Sequence, residues 1–126
     1  MKFDEITSLN KHYTIENARI ESADLSMADH GVLCLQMQLK GNCWGTVYGG
    51  YSLGHGYVGA KSFEGSAKGM ESIMRIMDTV GVDNFQDLVG KYIRVVCTCI
   101  SDPIKIIGNV MDDKWFDIES FYKNGD

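Results

Sequence analysis

The sequence predicts an α+β fold in which a mainly antiparallel β-sheet carries its helices on one face, in the order βββ-αα-ββ-α. Three observations lead to this prediction. Apolar segments alternate with turn residues over residues 14–60, a strongly helical segment follows at 67–80, and two β-rich segments lie between residues 91 and 110. The 126 residues fit a single domain, 1–126, in which residues 1–13 are expected to form a flexible N-terminal extension.

The first half of the chain is predicted to form an antiparallel meander of three strands. The first lies within Thr14–Leu25 and is expected to break at residues 22–24. The second is Val32–Leu39, and the third begins at Trp44. The turns that separate them are residues 28–31 and 40–42. The second strand places four apolar side chains on one face, namely Leu33, Leu35, Met37 and Leu39.

The strongest helix signal is the segment AKGMESIMRIMDTVG. Ser66 is the expected N-cap and Gly81 the expected stop, because these residue types are favoured at the two ends of a helix. Glu71 and Arg75 lie four residues apart on the polar face. The apolar positions, expected to pack in the core, are Met70, Ile73, Met74, Met77 and Val80.

A short helix and a pair of strands are predicted next. Asp83 is expected to cap the helix Asn84–Leu88. Residues 91–100 and 104–110 are rich in β-branched side chains and flank a turn, so they are expected to pair as strands. Gly108 in the second strand indicates a bulge or a close backbone approach.

A final short helix is predicted over Trp115–Tyr122, with Asp112 or Asp113 as its N-cap. Trp115 and Phe116 open this segment beside Lys114. An aromatic ring next to a cationic donor suits the stacking of a purine, so we expect Trp115 to contact a ligand or an interface.

Composition and charge exclude several classes of function. The net charge of -5 argues against DNA or RNA polymers as partners, because phosphate backbones are bound by clustered Lys and Arg. No apolar run approaches the roughly 20 residues of a membrane span, and the acidic N-terminal sequence is unlike a signal peptide. We therefore expect a cytoplasmic protein with no membrane partner.

The four cysteines predict no metal site. Their spacings match no zinc signature, and Cys97 and Cys99 would point to the same face of one strand. We expect reduced structural thiols, with metal binding as the less favoured alternative. The sequence also indicates no cofactor.

The glycine-rich segment Trp44–Ala60 contains GHGYVG, which matches the dinucleotide-binding fingerprint G-x-G-x-x-G. In that motif the glycines join a parallel strand directly to a helix. Here the helix is expected to begin only near Ser66, and no βαβ unit surrounds the motif. We therefore expect the glycines to let a strand or hairpin bend and admit large neighbours.

A second glycine cluster, Gly65–Gly69, lies at the predicted helix start. Backbone N–H groups, the Ser66 hydroxyl and the Lys68 ammonium could converge there on a phosphate. The alternative is an ordinary N-cap with a solvent-facing lysine. Aromatic residues of the glycine-rich segment could supply stacking surfaces, or could be core and subunit contacts; Trp44 is expected to be the core member.

Three runs together carry a resemblance to a known family: GNCWGTVYGGYSLGHGYVGAKSFEGSAKGMESIMRIMDTVGV, GKYIRVV and IGNVMDDKWFDIESFY. Over residues 15–122 the chain resembles the phage anti-Thoeris sponge proteins, the first described family of Thoeris anti-defence proteins. The resemblance implies a protein of the infected bacterial cytoplasm that sequesters cyclic ADP-ribose isomers made by TIR-domain enzymes. Some members also hold cyclic di- or trinucleotides. It further implies assembly into dimers or hexamers, with signal pockets near subunit interfaces.

The resemblance and the residue chemistry together give three groups of candidate ligand-binding residues, and no catalytic residue. The first group is Ser66, Lys68, Arg75 and Arg94. The second, a possible short lid, is Asn109, Asp112, Lys114, Trp115 and Phe116. The third is Tyr48, Tyr51 and His55, which could instead serve assembly.

Two other functions stay open on the sequence. An enzyme that cleaves the same cyclic nucleotides would have a similar pocket. A phage adaptor that binds a host factor would instead expose Met70, Met74 and Met77, whose helical spacing is more typical of a core.

Overall fold

The computed structural model describes residues 1–7, 12–98 and 102–123. Their helices are α1 (Phe3–Thr7), α2 (Ala67–Val80), a 3₁₀ helix (Phe85–Leu88) and α3 (Ile118–Lys123). The strands are β1 (Thr14–Ser26), β2 (Val32–Gly41), β3 (Trp44–His55), β4 (Glu64–Gly65), β5 (Tyr92–Cys97), β6 (Ile106–Gly108) and β7 (Trp115–Asp117). No helix in these ranges is long and apolar enough to cross a membrane.

All strand pairs are antiparallel and form one sheet in the order β4-β3-β2-β1-β5-β6-β7. The predicted α+β class and the meander of the first three long strands are confirmed. Strand β1 lies at the centre because it pairs with β2 on one side and with β5 on the other. The GHGYVG segment begins with the last two residues of β3 and continues as a loop, and α2 begins only at Ala67, as predicted.

The main core lies between the sheet and the face covered by α2, the 3₁₀ helix and α3. Ile73 and Ile76 of α2, Leu88 and Ile118 pack there against alternate residues of the strands. A smaller core lies on the opposite face, where Ile6 of α1 packs on the β5-β6-β7 end of the sheet; its other buried members are Val96, Ile106 and Trp115. The expectation that all helices share one face therefore holds for every helix except α1, which the sequence did not predict.

Residues 1–7 pack against this end of the sheet. Ile6 has no exposed surface, and the Trp115 amide donates to the Met1 carbonyl oxygen at 3.1 Å. The Phe3 amide donates to Asp113 Oδ1 at 2.6 Å, and the same oxygen accepts the Trp115 indole N–H at 3.0 Å. One carboxylate thus fixes the N-terminal segment and the indole together.

The predicted limits of α2 are confirmed. Ser66 is its N-cap and accepts the Gly69 amide on its hydroxyl at 3.0 Å. Gly81 ends the helix in the left-handed conformation, with φ of 93°. The short second helix is a 3₁₀ helix whose N-cap is Asn84 and makes no side-chain capping bond, so the prediction of Asp83 as the cap is wrong.

The predicted C-terminal helix is wrong in its first residues. Trp115–Asp117 pairs with β6 as strand β7, and α3 begins at Ile118. Asp117 caps it, since its carboxylate accepts the Ser120 amide at 3.1 Å. Asp112 and Asp113 do not cap it, because at least four residues, among them strand β7, separate them from its first residue, Ile118.

Several strand limits also differ from prediction. Strand β1 does not break at residues 22–24; the register shifts between Ile20 and Ser22, so a bulge absorbs Glu21 and the strand continues. The turn expected at residues 40–42 lies instead at residues 42 and 43. Strands β5 and β6 are shorter than predicted, and Cys99 lies outside the described residues. Cys34, Cys43 and Cys97 are free thiols.

A bulge in β3 determines which aromatic side chains reach the helix-covered face. Gly49 and Gly50 both have positive φ, at 111° and 86°, and the register with β2 shifts beside them. Regular alternation would send Tyr48 and Tyr51 to opposite faces. Because of the bulge, both rings pack on the main core, Tyr48 fully buried and Tyr51 partly exposed.

Candidate functional site

A cleft of about 580 Å³ opens where β3, β4, α2 and α3 meet. We call it the α2-start cleft. It brings together residues from two of the three predicted groups, Ser66 and Lys68 from the first, Tyr51 and His55 from the third. Its other lining residues are Ser52, Gly54, Glu64, Gly65 and Tyr122.

The start of α2 is held close against β3. A Cβ atom on Gly69 would lie 2.7 Å from Leu53 Cα, so only glycine permits this approach. The Ser66 amide donates to the Leu53 carbonyl oxygen at 2.9 Å. The backbone amides of Ala67 and Lys68 precede the first intrahelical bond, from Met70 N to Ser66 O, so they remain available as donors.

Two stacked tyrosines form the aromatic wall of the cleft. The rings of Tyr51 and Tyr122 are 4.5 Å apart with an interplanar angle of 6°. The Tyr122 hydroxyl and the buried Ser72 hydroxyl are 2.9 Å apart, which fixes α3 against α2. Partial burial of Tyr51, reinforced by the nearby Glu119 carboxylate, raises the pKa of its hydroxyl, so Tyr51 stays a neutral donor at physiological pH.

The charged side chains of the cleft are available to a ligand. Within the described residues, the side chains of Lys68, His55 and Glu64 make no hydrogen bond or ion pair. The Lys68 ammonium lies 4.5 Å from the centroid of the Phe121 ring, which positions it without neutralising it. The cleft therefore offers one cation, one carboxylate and one imidazole beside free backbone donors.

The second predicted group lies elsewhere, and Arg94 of the first group lies with it rather than near Lys68. Strands β2 and β1 separate β5 from β3. Arg94 donates to the carbonyl oxygens of Asn109, at 2.7 Å, and Asp112, at 2.9 Å. The Asn109 side-chain Nδ2 donates to the Thr79 carbonyl oxygen at 3.0 Å, and its Oδ1 accepts the backbone amides of Met111 and Asp112. These side chains hold loop 109–114 in place.

Lys114 and Arg75 are also engaged within the protein. Lys114 Nζ lies 3.2 Å from Asp78 Oδ1, and Arg75 Nε lies 2.8 Å from Glu71 Oε2. The Arg75 guanidinium lies 5.4 Å from the centroid of the Phe121 ring, on the same ring as Lys68. Arg75 is thus near the cleft without lining it.

The structure packs both tryptophans against a core, although only Trp44 was expected there. Trp115 is 3% exposed in the smaller core, between the Phe3 ring and the Arg94 guanidinium, whereas Trp44 is only partly buried. Phe116 and Tyr48 are core residues on the other face, 7% and 1% exposed. Removal of the Trp115 ring would therefore lower the stability of the fold.

The helix phase of α2 also differs from prediction. Met70 and Met74 are 59% and 63% exposed, so the prediction that they pack in the core is wrong. The residues that face the sheet include Gly69, Ser72, Ile73, Ile76 and Thr79. Small and polar residues were overlooked because the apolar pattern alone does not reveal that α2 approaches β3 through Gly69 and α3 through Ser72.

Sequence reasoning missed Tyr122 and Glu64 as cleft residues. Tyr122 was assigned to a helix whose partner could not be predicted, and its stacking with Tyr51 depends on the β3 bulge. Glu64 lies on a strand of two residues, which is too short to give a periodic signal.

Comparison with protein-family models, with curated proteins and with solved structures finds no match. No cluster of three or more metal-ligating side chains occurs in the part of the chain that the structure describes. The functional argument therefore depends on the geometry and chemistry of the α2-start cleft.

Proposed function

We propose that this protein binds and sequesters cyclic nucleotide signals of bacterial immunity, cyclic ADP-ribose isomers above all, and releases them unchanged. The proposal keeps the function that the resemblance to the anti-Thoeris sponges implies. The observation that supports it most is the α2-start cleft, where a helix N-terminus and a tyrosine wall adjoin Lys68, whose ammonium has no acidic partner among the described residues.

Each part of such a ligand has a suitable neighbour in the cleft. The Ala67 and Lys68 amides and the Lys68 ammonium suit a pyrophosphate, since the N-terminus of a helix attracts anions. The Tyr51 and Tyr122 side chains offer ring edges and hydroxyls to a purine. The Glu64 carboxylate can accept hydrogen bonds from ribose hydroxyls, and the His55 imidazole can accept one or donate one.

The proposal includes the setting in which the protein acts. Its place of action is the cytoplasm of the infected bacterial host, and its partners are cyclic ADP-ribose isomers, with cyclic di- or trinucleotides as a wider class. It assembles with itself as a dimer or hexamer. The cleft is open to solvent in the single chain, so a second copy could complete its enclosure.

Calorimetric titration of the purified protein with cyclic ADP-ribose isomers tests this function. The expected result is saturable binding, followed by release of intact ligand when the complex is heat-denatured and the supernatant analysed by mass spectrometry. Release of an altered nucleotide would show instead an enzyme that cleaves the signal. Absence of binding to these isomers and to cyclic oligonucleotides would refute the proposal.

One observation favours a second candidate, an adaptor that binds a host protein. Met70 and Met74 lie exposed on the outer face of α2, and Met-rich surfaces adapt to varied partners. Charged replacements, Met70→Lys with Met74→Glu, would abolish such an interaction and leave nucleotide binding unchanged. Phage counter-defence in cells expressing this double variant separates the two functions.

A further inference from the structure

A second cavity adjoins the α2-start cleft. Its volume is about 360 Å³, and it shares His55 and Glu64 with the cleft as a common wall. The rest of its lining comes from the turn before β2 and from the loop after β3, through His30, Gly31, Gly56, Tyr57 and Ser62. A ligand in the cleft can therefore extend past His55 without crossing the sheet.

The floor of this cavity is preformed. The Gly56 amide donates to the Gly31 carbonyl oxygen at 2.8 Å, which ties the loop after β3 to the turn before β2. A Cβ atom on Gly31 would lie 2.6 Å from Gly56 O, so the two backbones touch. The His30 imidazole is in turn held by Asp29, with Nδ1 2.6 Å from Oδ1.

The position of Glu64 is unfavourable for a site that binds only phosphate. Its carboxylate has no partner among the described residues, and it lines the same cleft as the phosphate donors. A negative charge there repels an anion. A carboxylate can, however, accept hydrogen bonds from two neighbouring hydroxyls at once, as acidic residues do with ribose in dinucleotide sites.

We propose that the second cavity is a sugar subsite of the α2-start cleft, in which Glu64 accepts hydrogen bonds from the vicinal hydroxyls of a ribose. This inference rests on the proposed function, because it takes the phosphates to lie at Lys68. It deepens that function by predicting selection for nucleotides with two riboses. Cyclic ADP-ribose, with two riboses, fills both cavities, whereas ADP, with one, fills only the cleft.

Calorimetry with these two ligands tests the subsite in three variants. Ser62→Trp places an indole in the second cavity, Glu64→Gln removes the carboxylate charge, and Val58→Trp adds the same indole at a 91% exposed position outside the cavity. Ser62→Trp and Glu64→Gln should each weaken binding of cyclic ADP-ribose at least about tenfold. Ser62→Trp should alter binding of ADP less than about twofold, whereas Glu64→Gln should not weaken it, because it removes a charge that repels phosphate. Val58→Trp should alter neither.

The outcomes separate the subsite from the proposed function. Stronger or unchanged binding of cyclic ADP-ribose by Glu64→Gln would show that Glu64 is only a neighbouring negative charge, and the subsite would be wrong. Unchanged binding by Ser62→Trp would place the second ribose elsewhere. If the wild-type protein bound neither ligand, the proposed function and the subsite would both fail.

Discussion

The cationic side chains divide into those held by the protein and those left to a ligand. Arg94 holds loop 109–114 through two carbonyl oxygens, and Lys114 is paired with Asp78. Each would lose these contacts on turning to a ligand, at a cost of about 1.5–3 kcal/mol for a hydrogen bond of a charged group. Lys68 has no such bond to lose within the described residues. Among the predicted cationic site residues, Lys68 is therefore the one best suited to bind phosphate.

Lys68→Glu should weaken nucleotide binding by about 2 kcal/mol or more, because it removes one charged donor and adds a repulsive carboxylate. Lys91→Glu makes the same change in net charge at an exposed residue outside the cleft and serves as the control. Calorimetry at low and at physiological ionic strength measures both. Equal losses in the two variants would mean that only net charge matters.

Gly108 allows the Trp115 ring to pack on the backbone of β6. A Cβ atom at this position would lie 2.3 Å from the ring, so Gly108→Ala should lower the free energy of unfolding by about 1–3 kcal/mol through overpacking. Gly65→Ala is the matched control, since a Cβ there meets nothing within 4 Å. Urea denaturation compares the two, and equal stabilities would contradict the packing described.

Among the elements, both ends of α2 were predicted correctly, because the residues that set them are close to the helix in sequence. Ser66 and Gly81 fix its limits through bonds within the helix and its caps. Strand β7 was not predictable in this way, because it depends on pairing with β6. The exposure of Met70 and Met74 was not predictable either, because the face that α2 buries is set by the contact of Gly69 with Leu53, which is distant in the chain. Within the cleft, the sequence indicated Ser66, Lys68, Tyr51 and His55 and missed the residues that α3 and β4 contribute.

The N-cap of α2 allows stability and binding to be separated. Asn and Asp cap helices about as well as Ser, so Ser66→Asn and Ser66→Asp should each keep the free energy of unfolding within about 0.5 kcal/mol. Only Asp places a negative charge beside the amides that are proposed to hold phosphate. Ser66→Asp should therefore weaken nucleotide binding while Ser66→Asn does not; thermal unfolding and calorimetry on the same samples measure the two effects.

Across the whole molecule, α3 is joined to the loop before β6 by a network of charges around Glu119. Its carboxylate lies 2.5 Å from Lys105 Nζ and 2.6 Å from Lys123 Nζ. Hydrogen bonds from Lys105, then from Lys123, lower the pKa of Glu119 from 4.5 to about 2, and the bond to Glu119 raises the pKa of Lys105. The network orients the helix that carries Tyr122 into the cleft.

The pKa of Glu119 is lower in the folded state than in the unfolded state, so the ionised carboxylate stabilises the fold at pH values above 4.5. This contribution is lost as the pH falls from 4.5 towards 2. Urea denaturation of the wild type and of Glu119→Gln at several pH values measures it. The wild type should be the more stable protein at pH 6, and the difference should shrink steadily between about pH 5 and pH 2. A difference that does not change with pH would contradict the role of the ionised carboxylate.

Residues 1–6 contact residues 113–115, so the N-terminal segment can pack only late in the synthesis of the chain. Phe3 and Asp113 are 110 positions apart, so the N-terminal segment leaves the ribosome long before its binding surface exists. At roughly 5–20 residues per second, the wait is on the order of ten seconds. Through this interval Ile6 has no core to enter, and the β5-β6-β7 end of the sheet is closed last. Ile6 and the strand residues that bury it therefore stay exposed until β7 has been synthesised.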